Sequence, residues 1–330
     1  MKIFRNKQSS ACRPTLTSLS FACAAMLSGA ALAAGPTPVE GGLQYSDVFD
    51  LEYATGPQIS PDGQSVYYER RSMDVMTDST RTNIWAVDLD GGNHRPVLSG
   101  KAQYRMPRFS ADGKRLAYLS SVEGKTQIYI RWLDSGDTAR ITDLERSPGN
   151  ISWSPDGQYI AFTMFVPSDG LSLFKLPAKP KGAKWAGNVK ATDQMVYRRD
   201  GAGYVAPGFT HVFVVPTDGG TPRQVTSGDF HHNGAISWTP DSSAVLISAN
   251  RSDNWEMNPR ESEVYSVAID GGAYTQLTNR AGPDRGPVVS PKGDLIAYTG
   301  NDENGLSQQN ADLYGMNMDG SGLRNLPSGF

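Results

Sequence analysis

The residues best equipped for chemistry gather in two stretches of the chain. Phe230-His231-His232 supplies paired imidazoles, and Arg251, Trp255, Glu256, Arg260, Glu261 and Glu263 bring cations, an indole and carboxylates into one short segment. Adjacent histidines project to different sides of an extended backbone, so this pair makes no shared metal site without outside ligands and serves by default as polar loop side chains. The second group could grip a charged peptide end, or could be a surface network in which the Trp caps a sheet. Together His231, His232, Arg251, Trp255, Glu256, Glu261 and Glu263 are the substrate-facing candidates. Nucleophilic catalysis has no comparable support. Gly63-Gln64-Ser65, Gly170-Leu171-Ser172 and Gly305-Leu306-Ser307 lack the second Gly that follows Ser by two residues in a nucleophile elbow. Neither a phosphate loop nor His-Glu-x-x-His occurs, and Asp88-Leu89-Asp90-Gly91 is not followed by the twelfth-position Glu of a calcium loop. No catalytic residue, metal or cofactor is assigned.

A repeat positions these residues. Ile59-Ser60-Pro61-Asp62-Gly63 recurs as Phe109-Ser110-Ala111-Asp112-Gly113, Trp153-Ser154-Pro155-Asp156-Gly157, Trp238-Thr239-Pro240-Asp241-Ser242 and Val289-Ser290-Pro291-Lys292-Gly293. Each copy is followed by a short apolar strand and then a second one, such as Asn83-Ile84-Trp85-Ala86-Val87 or Glu263-Val264-Tyr265-Ser266-Val267. Asp-Gly-Gly turns at 90–92, 218–220 and 270–272 are hairpin signals because Gly accepts positive φ at little cost. Four strands per roughly 40 to 50 residues predict an all-β chain, a β-propeller of about five four-stranded blades near 56–99, 105–143, 149–227, 234–279 and 286–327, after a lead-in at 34–53. The Ser-Pro-Asp-Gly element itself is expected to be a tight turn, with Pro presetting φ, Gly left-handed, and the Ser and Asp oxygens capping turn amides.

If strands run a, b, c, d, the a-to-b and c-to-d turns share one face of the propeller and the b-to-c and d-to-a connections share the other. The second face carries the variable loops, expected at about 70–82, 165–209, 250–262 and 300–311, and variable loops on a rigid repeat are where binding resides. The longest, an insertion at 166–209 in the third blade, contains the basic, Pro-rich Leu176-Pro177-Ala178-Lys179-Pro180-Lys181. It is either a solvated loop or a lid or docking arm.

Lys2, Arg5, Lys7 and Arg13 precede an apolar run from about Leu16 to Leu32 that closes with Ala31-Leu32-Ala33, the pattern of an export leader cleaved after Ala33. A periplasmic or secreted protein without a membrane span is the expectation. Cys12 and Cys23 both lie in that leader, and Ser20-Phe21-Ala22 before Cys23 does not suit lipid attachment. Losing four basic residues takes 31 Lys+Arg to 27 against 34 Asp+Glu, and the net charge from −3 to −7, which argues against nucleic acid as a partner.

The repeats resemble the N-terminal propeller of exported prolyl-oligopeptidase-type serine peptidases, in the acylaminoacyl-peptidase and dipeptidyl-peptidase branch. The resemblance is carried also by Gly182-Ala183-Lys184-Trp185, Tyr197-Arg198-Arg199-Asp200-Gly201-Ala202-Gly203-Tyr204, Thr210-His211-Val212-Phe213, Thr226-Ser227-Gly228-Asp229-Phe230-His231-His232 and Ser248-Ala249-Asn250-Arg251. It implies about seven blades and an α/β-hydrolase domain holding Ser, Asp and His, so that a chain stopping at Phe330 is an arc of a larger ring, lacking that domain. It also implies a propeller that limits access to short peptides, and, by loop position, Glu256, Glu261 and Glu263 as holders of a free amine. The repeats alone are similar to TolB-type propellers, which implies instead a self-contained periplasmic module that binds protein partners.

Overall fold

A computed structural model of the chain describes residues 42–173, 177–186, 189–303, 305 and 308–326. The leader at 1–33, both cysteines and the chain end at Phe330 lie outside the described residues. Residues 46–330 form one compact unit, and all that follows concerns it.

Five four-stranded antiparallel sheets follow one another along the chain. The first comprises Glu52–Ile59 (β1), Ser65–Asp74 (β2), Ser79–Asp88 (β3) and Arg95–Leu98 (β4), and the second Tyr104–Phe109 (β5), Arg115–Ser120 (β6), Gln127–Trp132 (β7) and Thr138–Arg140 (β8). The third has Pro148–Trp153 (β9) and Tyr159–Pro167 (β10), then, after a two-stranded hairpin of Arg198–Arg199 (β11) and Gly203–Tyr204 (β12), Gly208–Pro216 (β13) and Arg223–Gln224 (β14). The fourth is Ser237–Trp238 (β15), Ala244–Ala249 (β16), Glu263–Ala268 (β17) and Tyr274–Gln276 (β18); the fifth is Asp284–Val289 (β19), Leu295–Gly300 (β20), Asp312–Asn317 (β21) and Arg324–Asn325 (β22). Strand order is a-b-c-d in every sheet, so these are propeller blades. The 70–82 segment, expected as a long loop, is instead mostly strand: β2 and β3 pair as far as Asp74↔Ser79, leaving only 75–78 as turn.

The Ser-Pro-Asp-Gly turns are built alike. In the first, the Ser60 hydroxyl donates to Asp62 Oδ1 and accepts the Ser65 amide at 2.9 Å, while Asp62 Oδ1 accepts the Gln64 amide at 3.1 Å. Ser110 with Asp112, Ser154 with Asp156, and Thr239 with Asp241 repeat the arrangement. The serine hydroxyl and turn amides hold the Asp62 and Asp112 carboxyls below their ordinary pKa. Position five of the turn needs a left-handed residue: φ is 69° at Gly63, Gly113 and Gly157, and 60° at Ser242. In the fifth copy, where Lys292 stands in place of Asp, Ser290 donates to Asp294 at 2.6 Å instead.

Blade packing follows a period-two rule. Each sheet turns one face to the blade before it, carrying a cross-strand pair such as Tyr118↔Tyr129, Phe162↔Phe213, Ile247↔Tyr265 or Tyr298↔Tyr314. The opposite face carries small or aliphatic residues, Ala161, Val212 and Val214 in the third blade, against which the next blade's pair rests. The same arrangement recurs between blades one and two, two and three, and four and five. Strand a bulges at one repeated place, with positive φ at Gly56, Met106, Asn150 and Gly286, and strand b of the preceding blade bonds the bulge amide in two cases: Met106 N to Glu69 Oε1 at 2.8 Å and Gly286 N to Ser248 Oγ at 3.1 Å.

Candidate functional site

The b-to-c and d-to-a connections of blades three to five enclose a cavity of about 390 Å³. Four chain regions build it. The insertion contributes Gln194, Val196, Arg199 and Val205; the segment after β14 contributes His231 and Asn233; the loop after β16 contributes Trp255, Glu256 and Glu261; and Arg285 closes it from the start of β19. The insertion is tied down at the cavity edge, where the Met195 amide donates to Glu256 Oε1 at 3.1 Å. The loop after β16 owes its shape to Asn250, whose amide nitrogen donates to the Asn258 carbonyl at 2.8 Å while its oxygen accepts the Ser252 hydroxyl at 2.7 Å. Trp255 stands edge-on to both His231 and Phe209, each at 6.1 Å between ring centroids.

Of the seven sequence candidates, His231, Trp255, Glu256 and Glu261 line this cavity; Arg251, His232 and Glu263 do not. Arg251 and His232 stand behind the wall. The Arg251 guanidinium lies 3.9 Å above the Tyr274 ring, donates to the Ser227 carbonyl at 3.1 Å, and meets His232 Nε2 at 3.0 Å. Because guanidinium only donates, Nε2 of His232 is the acceptor, and its proton resides on Nδ1, 3.2 Å from the Thr210 carbonyl. Burial, His211 and Arg251 push the His232 pKa down to about 3, so the ring is neutral. His231, lowered chiefly by burial, accepts the Thr210 amide on Nδ1 at 3.2 Å. These histidines, taken by default as polar loop side chains, are packing elements: one wholly buried, one a wall of the cavity.

Glu263 belongs to a different device. It stands on strand c just before the buried Val264, as Asn83, Gln127 and His211 stand before Ile84, Ile128 and Val212 in blades one to three. In blade two, Gln127 Oε1 accepts the Thr142 hydroxyl and the Leu144 amide, both at 2.8 Å, and Thr142 Oγ1 accepts the Ile128 amide at 3.0 Å. In blade four, Glu263 accepts the Thr278 hydroxyl, and Thr278 Oγ1 accepts the Val264 amide at 2.9 Å. This lock fastens strand d to strand c, which is why Glu263 is 8% exposed and does not line the cavity of Trp255 and His231. Burial, with the Asp284 and Glu261 carboxylates nearby, raises its pKa to about 7. Sequence reasoning missed Arg199 and Arg285, which add positive charge to a cavity already holding two glutamates; nothing local distinguishes them, since their placement depends on how the insertion and blade five meet blade four. Such a cavity suits a short chain with charges of both signs. Among the described residues no group of three or more His, Cys, Asp or Glu is arranged to hold a metal, and no helix is long and apolar enough to cross a membrane.

Residues 183–304, which span most of the insertion and the whole cavity, match the sequence profile of the dipeptidyl peptidase IV (DPP IV) N-terminal region. The chain is 28% identical over 205 residues to the uncharacterized peptidase YuxL of Bacillus subtilis, covering 62% of this chain and 30% of the relative. It is 26% identical over 274 residues to dipeptidyl-peptidase 5 of Porphyromonas endodontalis, covering 76% and 37%. It thus spans about a third of the length of these curated relatives. Among solved structures, the acylaminoacyl peptidase of Pyrococcus horikoshii superposes with a TM-score of 0.61 at 15% identity, over 84% of this chain and 40% of that one. A putative TolB from Agrobacterium tumefaciens gives 0.53 at 20%, over 83% and 80%. Identities this low speak to fold alone. The chain is therefore a β-propeller whose residues 183–304 match the DPP IV N-terminal region.

Proposed function

We propose that this chain is the substrate-gating propeller of a secreted serine peptidase acting on short peptides, working with an α/β-hydrolase domain that lies outside these residues. The observation that carries this reading is the coincidence of the matched region with the one face where insertion, loops and cavity converge. A chain entering a blade at strand a and leaving at strand d does so on that same face, so a domain continuing from the propeller would sit over the cavity. Mixed charge in the cavity supports a zwitterionic or partly charged peptide as the occupant. Export, a cut after Ala33 and a periplasmic or secreted location belong to the same proposal, as do the blade boundaries expected from the repeats.

The test is to read the coding region in frame beyond Phe330 and to treat both the 330-residue chain and any longer product with a fluorophosphonate. The reading expects a Gly-x-Ser-x-Gly element downstream, labelling of the longer product only, and turnover of short peptides but not of folded proteins. Labelling of the 330-residue chain would sink it. The likeness to TolB, which extends over most of that structure's length, favours a second reading as a self-contained propeller that binds protein partners. A stop codon directly after Phe330, with capture of a defined envelope protein, would decide for that alternative.

A further inference from the structure

The opposite charges that line the cavity are not in equal states. Glu256 accepts the Met195 amide at 3.1 Å and Glu261 the Gly282 amide at 3.4 Å, so each carboxylate is engaged within the chain, one holding the insertion and the other the turn before β19. Arg199 and Arg285 have no such engagement with a carboxylate. The ion pairs of the described residues use Arg70, Arg71, Arg81, Arg95, Arg140 and Arg280, and neither cavity arginine is among them. Arg285 donates to the Arg260 carbonyl at 3.3 Å, and Arg260 is itself a third arginine without an acidic partner among the described residues.

Two ring N–H groups add to the donors. His231 accepts the Thr210 amide on Nδ1, so its single proton resides on Nε2, and burial keeps the ring neutral. The Trp255 indole can only donate. Neither N–H meets an acceptor among the described residues, and neither is a buried orphan, so both are open to an occupant. The other polar side chains of the wall do not offset this. Ser248 and Ser262 are bonded to main-chain groups and Asn250 is spent within its own loop, while Gln194 and Asn233 each carry a donor and an acceptor. A surplus of donors beside unpaired guanidiniums is satisfied by an anion with several lone pairs. We infer that the cavity holds its peptide by a carboxylate, with Arg199 and Arg285 as the principal donors and the His231 and Trp255 N–H groups beside them, rather than by a free amine on the glutamates. This inference rests on the reading of the cavity as the substrate-facing site and names the chemistry it takes. Guanidinium fits that occupant because its paired N–H groups match the two oxygens of a carboxylate. Either a peptide C-terminus or an acidic side chain supplies it.

The test is calorimetric titration of the purified chain with four peptides of equal length: acetyl-Ala-Ala-Ala with a free C-terminus, acetyl-Ala-Glu-Ala-amide with a side-chain carboxylate only, acetyl-Ala-Ala-Ala-amide with no charge, and Ala-Ala-Ala-amide with a free amine only. At least one of the two carboxylate peptides is expected to bind about tenfold or more tightly than the uncharged and amine peptides, and which one does so identifies the source of the carboxylate. Arg199→Gln and Arg285→Gln are each expected to weaken that binding about tenfold. Glu256→Gln keeps an oxygen for the Met195 amide and is expected to bind the carboxylate peptide at least as well as the parent. Arg198→Gln removes the same charge from the same hairpin outside the cavity lining and is expected to change nothing. Arg199 and Arg285 are exposed, so their variants should keep the melting curve of the parent, and the ranking of the four peptides on the parent decides the matter without any variant. Tightest binding of the amine peptide, lost in Glu256→Gln, overturns the inference. So does equal binding of all four peptides, no binding at millimolar peptide, or an equal loss in Arg198→Gln. These outcomes are separate from the gating reading: a longer product that labels and cleaves short peptides keeps that reading even if the amine peptide binds best, and carboxylate binding by a chain with a stop directly after Phe330 removes the gating reading alone.

Discussion

On the a-to-b side of the sheets, five turns repeat one hydrogen-bond set: a Ser or Thr hydroxyl to a carboxylate, and a main-chain amide back to that hydroxyl. On the b-to-c side no two connections match. They run 75–78, 121–126, 168–207, 250–262 and 301–311, and of these the connections of blades three and four contribute residues to the cavity lined by Trp255 and His231. Turns that are alike are constrained by the backbone they must close, and such constraint is met by few residue types. Loops that differ are released from it and can be shaped by whatever they meet. The difference separates where the chain stores its architecture from where it has room for recognition.

The strongest challenge to that division is Asp284. It sits on the loop side at the start of β19, yet it is 0% exposed and paired with Arg280, whose guanidinium also lies 3.8 Å above Tyr314. Removing Asp284 leaves the largely buried Arg280 guanidinium with only the exposed carboxylate of Asp302 as counter-ion, so Asp284→Ala is expected to cost about 3 kcal/mol in urea unfolding. Trp255→Ala, on the same side but in the cavity wall, is expected to cost about 1–2 kcal/mol, since that ring is only partly buried. Equal costs for the two would erase the distinction between loop residues that hold the fold and loop residues that line the site.

The lock of blade four gives a pH-dependent test. The Glu263 pKa is raised to about 7 in the folded chain, so the folded state keeps a proton that the unfolded state surrenders near its ordinary value. The resulting penalty is absent at low pH, grows as pH climbs from about 4.5, and is complete above about 7. The His232 pKa is depressed to about 3, so that ring opposes the trend, withdrawing stability as pH falls below about 6.5. Glu263→Gln copies the lock that Gln127 makes in blade two. It is expected to raise stability at pH 7.5 relative to pH 4.5 by roughly 3 kcal/mol compared with the parent, read from denaturation midpoints at the two pH values. An unchanged pH profile would show that Glu263 is ionised in the folded chain.

The repeat made the blades legible because the same turn chemistry recurs around apolar runs of period two. The bulge of strand a was not noticed, although Gly56-Pro57, Met106-Pro107 and Gly286-Pro287 mark three of its occurrences. Asn150 carries the fourth without a following Pro, and Met106 shows that the left-handed conformation there is imposed by the interface with Glu69 rather than by residue type. The lock position of Glu263 is hidden in the sequence because its counterparts on strand c, Asn83, Gln127 and His211, are polar yet never the same residue. The companion threonines Thr142, Thr226 and Thr278 were the available signal. Arg199 and Arg285 had none, since a long insertion reveals nothing of where it folds back.

The smallest effect tests the uniformity of the turns. In the third repeat, Asp156 accepts the Ser154 hydroxyl at 2.5 Å and the Gln158 amide at 3.0 Å. In the fifth, Lys292 occupies the equivalent position, and Asp294, two residues later, takes the Ser290 hydroxyl. If the turn requires a carboxylate on that hydroxyl rather than an aspartate at that place, Asp294→Ala and Asp156→Ala should each cost about 1 kcal/mol by thermal or urea unfolding, and Lys292→Asp should gain only a few tenths. A gain from Lys292→Asp as large as the loss from Asp156→Ala would instead mean that the fifth turn is defective and that Asp294 substitutes for nothing. The comparison then shifts, because the turn side would no longer be uniform, and its one irregular member would lie in blade five.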